Sequence, residues 1–386
     1  MDNHDNGYLP KKKFLEELMR YKRGSVTRRH FLGVTGLGTA SAVLGAALPG
    51  LRPQPAFAQD IGDRVVLATW PNYHNQSNFD LFTDQTGAFT MVNVFGSNEE
   101  MLAKLQAGGS GWDVFVPTNY TISTYVDEDL IEPLDLSKLP NYDPDTVITE
   151  FSDAGIVDGT VYAVPKNWGT TGMAVNTSHD GGTPFTTWKQ FWDRTMDDYS
   201  GRTMVHDYQL TTIGNALKYF GYSFNSNDEA ELAEAEKLMI EAKPHLFAIT
   251  SDIQPAMRSG DAWLTMAWTG DGKQLNRDNA DIAYVLGKEG GELWSDYYAV
   301  PKGAPHRDAA YALINFLIDP EVNAREALAH GYPLADERAN ALLPEEVLND
   351  PILYPEQELF DALEFAAAQT LTNELRGEIL ARFKSA

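Results

Sequence analysis

The chain has 386 residues, 43% of them apolar and 22% charged, with a formal net charge of −25. That is the composition of a folded globular protein, and the length suits two domains better than one small core. There is no cysteine, which excludes disulfide scaffolds, thiolate zinc sites, iron–sulfur clusters, thiol nucleophiles and a lipid-carrying N-terminal cysteine. The acidic excess argues against nucleic acid, whose phosphates it would repel, and leans toward cationic partners.

The first 58 residues read as an export address. Arg28-Arg29-His30-Phe31-Leu32 opens an apolar, Gly- and Ala-rich stretch that has no Lys or Arg from Gly33 to Leu51. Ala56-Phe57-Ala58 follows as a small-residue cleavage site. Basic region, apolar region and cleavage site together predict a cleaved secretory signal, and the adjacent arginines resemble the twin-arginine motif. Glycines and Pro49-Gly50 speak against a membrane anchor. The expected mature protein is free in the periplasm, having used the twin-arginine export machinery. The leader holds nine Lys/Arg against four Asp/Glu, so its removal leaves a still more acidic chain.

Past the leader, short apolar runs alternate with amphipathic stretches. Strands are predicted over 64–70, 91–95 and 113–117, then over 161–164, 173–175, 204–206, 264–268, 282–285 and 298–300. Between the second and third, Ser97 and Glu100 have capping-box spacing, Met101, Leu102 and Leu105 form an apolar face, and Gly108 suits a helix end. Further helices are predicted over 229–242 and 308–318, the latter stopping at Asp319-Pro320. Alternating strands and helices imply a mainly parallel α/β sheet flanked by helices. No repeat or Pro-rich linker interrupts the chain, so any two domains should be joined by crossings within the fold.

Catalytic patterns are weak. Gly108-Gly109-Ser110-Gly111-Trp112 ends in Trp where a nucleophile elbow needs Gly. Gly270-Asp271-Gly272-Lys273 lacks the leading glycine and the Ser/Thr of a phosphate loop. No histidines stand at zincin spacing. The adjacent Tyr297 and Tyr298 could suggest ferric ligation, but neighbours on a strand point to opposite faces. The expectation is no enzyme, no metal and no cofactor, with a secreted hydrolase as the rival reading from another class.

Aromatic residues gather at predicted strand ends. Trp70 closes the first strand with Tyr73 close behind, Thr118 and Tyr120 follow the third, Trp268 leads into Asp271, and Trp294 and Asp296 precede a later strand. Ligands of open parallel sheets sit beyond the carboxyl ends of strands. An aromatic face with a carboxylate is what an organic cation needs there: the ring attracts the charge and the acid offsets its desolvation.

These segments resemble, in order along nearly all of the mature chain, the periplasmic spermidine/putrescine-binding proteins. The resemblance is carried by Trp70-Pro71-Asn72-Tyr73, Ser97-Asn98-Glu99, Trp112-Asp113-Val114-Phe115-Val116-Pro117-Thr118, Tyr162-Ala163-Val164-Pro165-Lys166-Asn167-Trp168-Gly169 and Trp268-Thr269-Gly270-Asp271. It continues through Lys288-Glu289-Gly290-Gly291, Trp294-Ser295-Asp296, Ala299-Val300-Pro301, Gly331-Tyr332-Pro333 and Leu353-Tyr354-Pro355. It implies a two-lobe periplasmic binding protein fold of the second type, with a ligand cleft between the lobes and an inner-membrane ABC permease as partner. The implied lobes are 59–168 with 295–332 and 169–294 with 333–386, with hinge crossings near 168–172 and 294–300. Trp70, Tyr73, Thr118 and Tyr120 would wall the cleft from one side, Trp268 and Asp271 from the other, and Trp294 and Asp296 would hold an amino group near the hinge. Where the family usually carries a second acidic pair, this chain reads His206-Asp207-Tyr208-Gln209-Leu210-Thr211, with Tyr208 and Thr211 at the acid positions and Asp207 beside them. The implied ligand is a polyamine, putrescine or spermidine-like. Agmatine, 4-aminobutyrate, another amino acid or a quaternary ammonium ion are the alternatives within the same fold.

Overall fold

The computed structural model describes residues 61–386 apart from Asp180, Thr183 and Pro184; the expected leader lies outside the described residues. Twelve strands are described: β1 (Arg64–Thr69), β2 (Phe89–Val94), β3 (Val114–Phe115), β4 (Ile156–Val157), β5 (Thr160–Val161), β6 (Ala163–Asn176), β7 (Thr203–Val205), β8 (Leu246–Ile249), β9 (Leu264–Trp268), β10 (Ile282–Val285), β11 (Gly291–Ala299) and β12 (Leu363–Phe365). Ten of them form one curled sheet in the order β2-β1-β3-β11-β6-β9-β7-β8, with β10 added to β6 and β12 to β11. β4 and β5 make a separate hairpin.

Each end of this sheet carries its own core. At the β2-β1-β3 end, pairing is parallel. Val65 and Leu67 face one side, against the helices Gln76–Thr86 and Arg307–Leu317. Ala68 and Phe115 face the other, against Met101 and Leu105 of the helix Asn98–Gln106. That is the period-two alternation of a sheet covered on both faces. At the β9-β7-β8 end, Met173, Val175, Leu264 and Met266 pack under the helices Trp188–Thr195, Gln209–Tyr219 and Glu229–Ala242, while Ala174, Met204 and Ala267 face Met257 and Leu275. A third cluster joins Val147, Phe151, Trp168 and Leu293 to Leu334, Leu343, Leu353 and Phe360. The last helix, Glu374–Ser385, seats Ile379 and Phe383 on the second core.

Local signals explain the helix starts. Ser97 Oγ accepts from Glu100 N, and Glu100 Oε2 reaches back to Gly96 N at 2.8 Å. This is a capping box displaced by one residue from the expected form. Asp228 and Asp319 cap their helices by accepting from backbone N–H groups of the first turn.

The largest departure from the sequence reading lies in the middle of the sheet. The runs 161–164 and 173–175 are not separate strands: Ala163, Val164 and all of 173–175 belong to β6, fourteen residues long and buried throughout, while Val161 ends β5. It pairs antiparallel with β11 from Ala163↔Ala299 to Thr171↔Glu292, and from Thr171 to Val175 also with β9. The register shifts where Asn167 pairs with Asp296 and Pro165 with Tyr297. Lys166 is therefore the extra residue of a bulge, and the proline, which has no N–H to donate, stands beside it. Trp294-Ser295-Asp296, expected ahead of a strand, sits inside β11. Tyr297 and Tyr298 do face opposite ways, into separate clusters.

Gly169 pairs with Trp294, and a Cβ on it would come within 2.5 Å of the indole Cζ2. Gly169→Ala should cost about 1–3 kcal/mol through overpacking, seen as a lower denaturation midpoint. An unchanged midpoint would show that Trp294 moves aside freely.

Candidate functional site

Between the two cores lies a pocket with about 420 Å³ of space free of atoms, counting its mouth. Its walls are mostly aromatic: Trp70, Tyr73, Tyr120, Tyr208, Trp268, Trp294 and Tyr332. The chain geometry explains why they converge. Trp70 follows the end of β1 and Trp268 is the last residue of β9, so strands from opposite ends of the sheet deliver the two indoles to one place. They meet edge to face, centroids 6.0 Å apart. Trp70 is pinned by Nε1 donating to Val116 O at 3.0 Å, and Trp268 by Nε1 donating to Tyr208 Oη at 3.1 Å. Tyr332 packs edge-on against both Tyr73 and Trp294.

Asp296 is the best-held polar group. Thr118 Oγ1 donates to its Oδ1 at 2.7 Å, and Thr118 and Asp296 also form a backbone bridge. Tyr73 Oη lies 2.6 Å from Asp296 Oδ2 and 2.6 Å from Asn167 Oδ1. A phenol has one proton, and the carboxylate is the stronger acceptor for it. Asn98 Nδ2 ties Thr118 Oγ1 to Tyr120 Oη, at 3.1 and 2.8 Å. Burial raises the Asp296 carboxyl to about 7, against the pull of Tyr73, Thr118 and the Lys166 charge. Lys166, placed by the bulge, is buried behind the site with Nζ 3.9 Å from the Tyr73 ring centroid. Burial lowers it to about 8, opposed by Glu326 and Asp296.

A second carboxyl lines the pocket. Glu292 lies on β11, 2% exposed, with Thr171 Oγ1 donating to its Oε2 at 2.5 Å. Burial raises it to about 8, with Asp296 adding in the same direction. Behind Trp268, His206 is fully buried, 3.1 Å from Thr211 Oγ1 and packed on the Trp268 ring. Burial lowers it to about 4, so it is neutral.

Trp70, Tyr73, Thr118, Tyr120, Tyr208, Trp268, Trp294 and Asp296 thus line one pocket. Asp207 and Asp271, expected with them, do not. Asp207, partly exposed after β7, accepts from Ser251 Oγ. Asp271 lies in the first turn of the helix Thr269–Asp278, where the helix dipole favours an acid, and is engaged by Gln254 Nε2. Thr211 is spent on His206. Pro71, Asn98, Glu292 and Tyr332 complete the lining and were not singled out. A sequence signal existed for Glu292: Glu292, Trp294 and Asp296 stand two apart, hence on one face of a strand.

Residues 79–355 match the profile of the bacterial extracellular solute-binding proteins. The spermidine/putrescine-binding periplasmic protein of Escherichia coli is 32% identical over 322 residues, 82% of this chain and 90% of that one. Spermidine/putrescine-binding periplasmic protein 1 of Haemophilus influenzae is 31% identical over 304 residues, 77% and 82% of the two chains. The chain belongs to the spermidine/putrescine-binding family of bacterial solute-binding proteins. Among solved structures, a putative spermidine/putrescine ABC transporter protein from Listeria monocytogenes superposes with a TM-score of 0.77 at 30% identity, covering 84% of this chain and 99% of that one. The fold is that of the type II periplasmic binding proteins, a family of transport receptors and not of enzymes. Among the described residues no helix is long and apolar enough to cross a membrane, and no group of His, Asp and Glu is placed to hold a metal ion.

The raised carboxyls link the pocket to pH. Unfolded Asp and Glu lose their protons near pH 4, whereas folded Asp296 and Glu292 keep theirs to about 7 and 8. Between those limits the folded state binds more protons, so stability falls as pH rises through the window. The ligand-free protein carrying Asp296→Asn and Glu292→Gln together should lose less of its melting temperature between pH 5 and 8 than the wild type. Equal losses would mean that neither carboxyl is buried as described.

Proposed function

We propose that this protein is the periplasmic receptor of an ABC importer and captures a polyamine in the aromatic pocket around Asp296. The observation that carries the reading is the Asp296 carboxyl itself, oriented by Thr118 and Tyr73 under walls of tryptophan and tyrosine. An ammonium group meets there a charge partner fixed in place and ring faces that attract it. The naming of related proteins for spermidine and putrescine supports the same ligand class.

Capture works by differential contact. Tyr73, Thr118 and Tyr120 come from chain before β6, Tyr208 and Trp268 from chain after it, and β11 runs between. We take the lobes to divide across β6 and β11, near 168–172 and 294–300. A ligand touching both sides stabilises the closed form because the open form offers only half the contacts. An inner-membrane permease would read the closed form. No bond is made or broken. The cation's arrival displaces the proton held by Asp296, so affinity for an amine should rise with pH through about 7.

Asp296→Ala should weaken putrescine binding by about tenfold or more, because a desolvated ammonium loses its acid. Calorimetric titration of the refolded, ligand-stripped protein measures it, with circular dichroism to verify the fold. Near-unchanged affinity would remove Asp296 from the site. Export rests on Arg28 and Arg29: replacing both by Lys should hold the precursor in the cytoplasm, by fractionation and immunoblot, and normal periplasmic delivery would count against the twin-arginine route.

A further inference from the structure

Glu292 is the pocket's second acid, and its placement bears on ligand length. It sits four residues before Asp296 on β11, so both side chains leave the same face, with Trp294 between them on that face. The register shift falls after Asp296 and leaves this spacing regular. Thr171 satisfies Oε2, and among the described residues Oε1 accepts no hydrogen bond. A carboxyl that gives up its proton to an incoming cation has about four acceptor positions, and Thr171 occupies one of them, so a dry, singly bonded acid facing a pocket has room for a donor. Among the described residues no cationic side chain completes it. Glu364, its register partner on β12, is paired with Lys218 and also accepts from Ser223 and from Phe224 N. Lys166 lies behind Tyr73, toward Asp296 and Glu326.

We propose that Glu292 is a second ammonium-binding carboxylate and that its spacing from Asp296 selects linear diamines over triamines. The inference rests on the polyamine reading above. Four strand residues span about 13 Å. Allowing about 2.8 Å for each charge-assisted hydrogen bond, the two acids suit nitrogens roughly 7 Å apart. With bonds of about 1.5 Å, that is the reach of an extended diamine with four or five carbons. Its methylenes would lie along Trp294, beneath the contact between Trp70 and Trp268. A triamine brings a third charge, and the rest of the lining offers it only neutral groups: tyrosines, Thr118 and Asn98. A buried ammonium without an acid is strongly disfavoured.

The test is calorimetric titration of wild type, Glu292→Gln and Glu292→Asp with putrescine, cadaverine and spermidine. The Gln variant keeps the shape and an oxygen for Thr171 while removing the charge, and circular dichroism verifies its fold. The inference expects wild type to bind a diamine about tenfold or more tighter than spermidine, and Gln to lose about tenfold or more for putrescine. It expects Asp, whose carboxylate is withdrawn by one methylene, to shift preference from putrescine toward cadaverine, a change that a merely structural role would not produce. Undiminished putrescine binding by Gln, equal losses of both diamines in Asp, or spermidine bound as tightly as putrescine by wild type would each overturn it while leaving the polyamine reading intact. Wild type binding none of the three would overturn the polyamine reading itself, and this inference with it.

Discussion

A carboxyl buried among aromatic rings is costly to ionise, and the architecture around Asp296 follows from that cost. Burial, net of the groups that oppose it, holds the proton on to about pH 7. The groups that oppose it, Tyr73, Thr118 and Lys166, come from three different parts of the chain. Tyr73 precedes the first helix, Thr118 follows β3, and Lys166 is the bulged residue of β6. The two hydrogen-bond donors have to be placed to within a few tenths of an ångström, while Lys166 acts through its charge over a longer distance. The strand carrying Asp296 therefore lies in the middle of the sheet, where β3 and β6 fix it from both sides.

On the proposed function the same cost would supply the discrimination. With both acids protonated the pocket is electrically quiet, and a cation would enter by exchanging its charge for protons. Aromatic walls exclude water and keep the local dielectric low, so a matched charge gains more there than at the surface and an unmatched one loses more. Groups without partners in the ligand-free protein are consistent with such a site. Trp294 Nε1 and Asn167 Nδ2 are buried without hydrogen bonds, and both belong to the ring of residues around Asp296. In ordinary cores such groups are rare.

Much of the fold was legible because its signals are local. Trp70 closing off β1, Ser97 capping its helix, Asp319-Pro320 stopping the helix before it, and the limits of β9, β10 and the helix Glu229–Ala242 can each be read from a few neighbouring residues. β6 was not. A strand buried on both faces loses its alternation, and Pro165, Lys166, Asn167 and Gly169 look like punctuation when only neighbours are considered. In the sheet they become a bulge, a charge beside the site, a hydrogen bond and a space for Trp294. β8 and β12 were missed for a related reason: both are short, and their pairing partners, not their sequences, make them strands.

The sequence by itself determined the chemistry available: no thiols, a surplus of acid, tryptophans beside aspartates, and an ordered set of motifs shared with one family. Those are properties of composition and order, and they survive without coordinates. Only the tertiary structure decided which acids face the pocket. Asp207, Asp271, Glu292 and Asp296 all stand near aromatic residues along the chain. Asp271 is turned by its helix toward Gln254 and Asp207 toward Ser251, whereas the strand parity of β11 aims Glu292 and Asp296 into the same space. A side chain's direction depends on the element that carries it and on what packs against that element, and those contacts join residues far apart in the sequence.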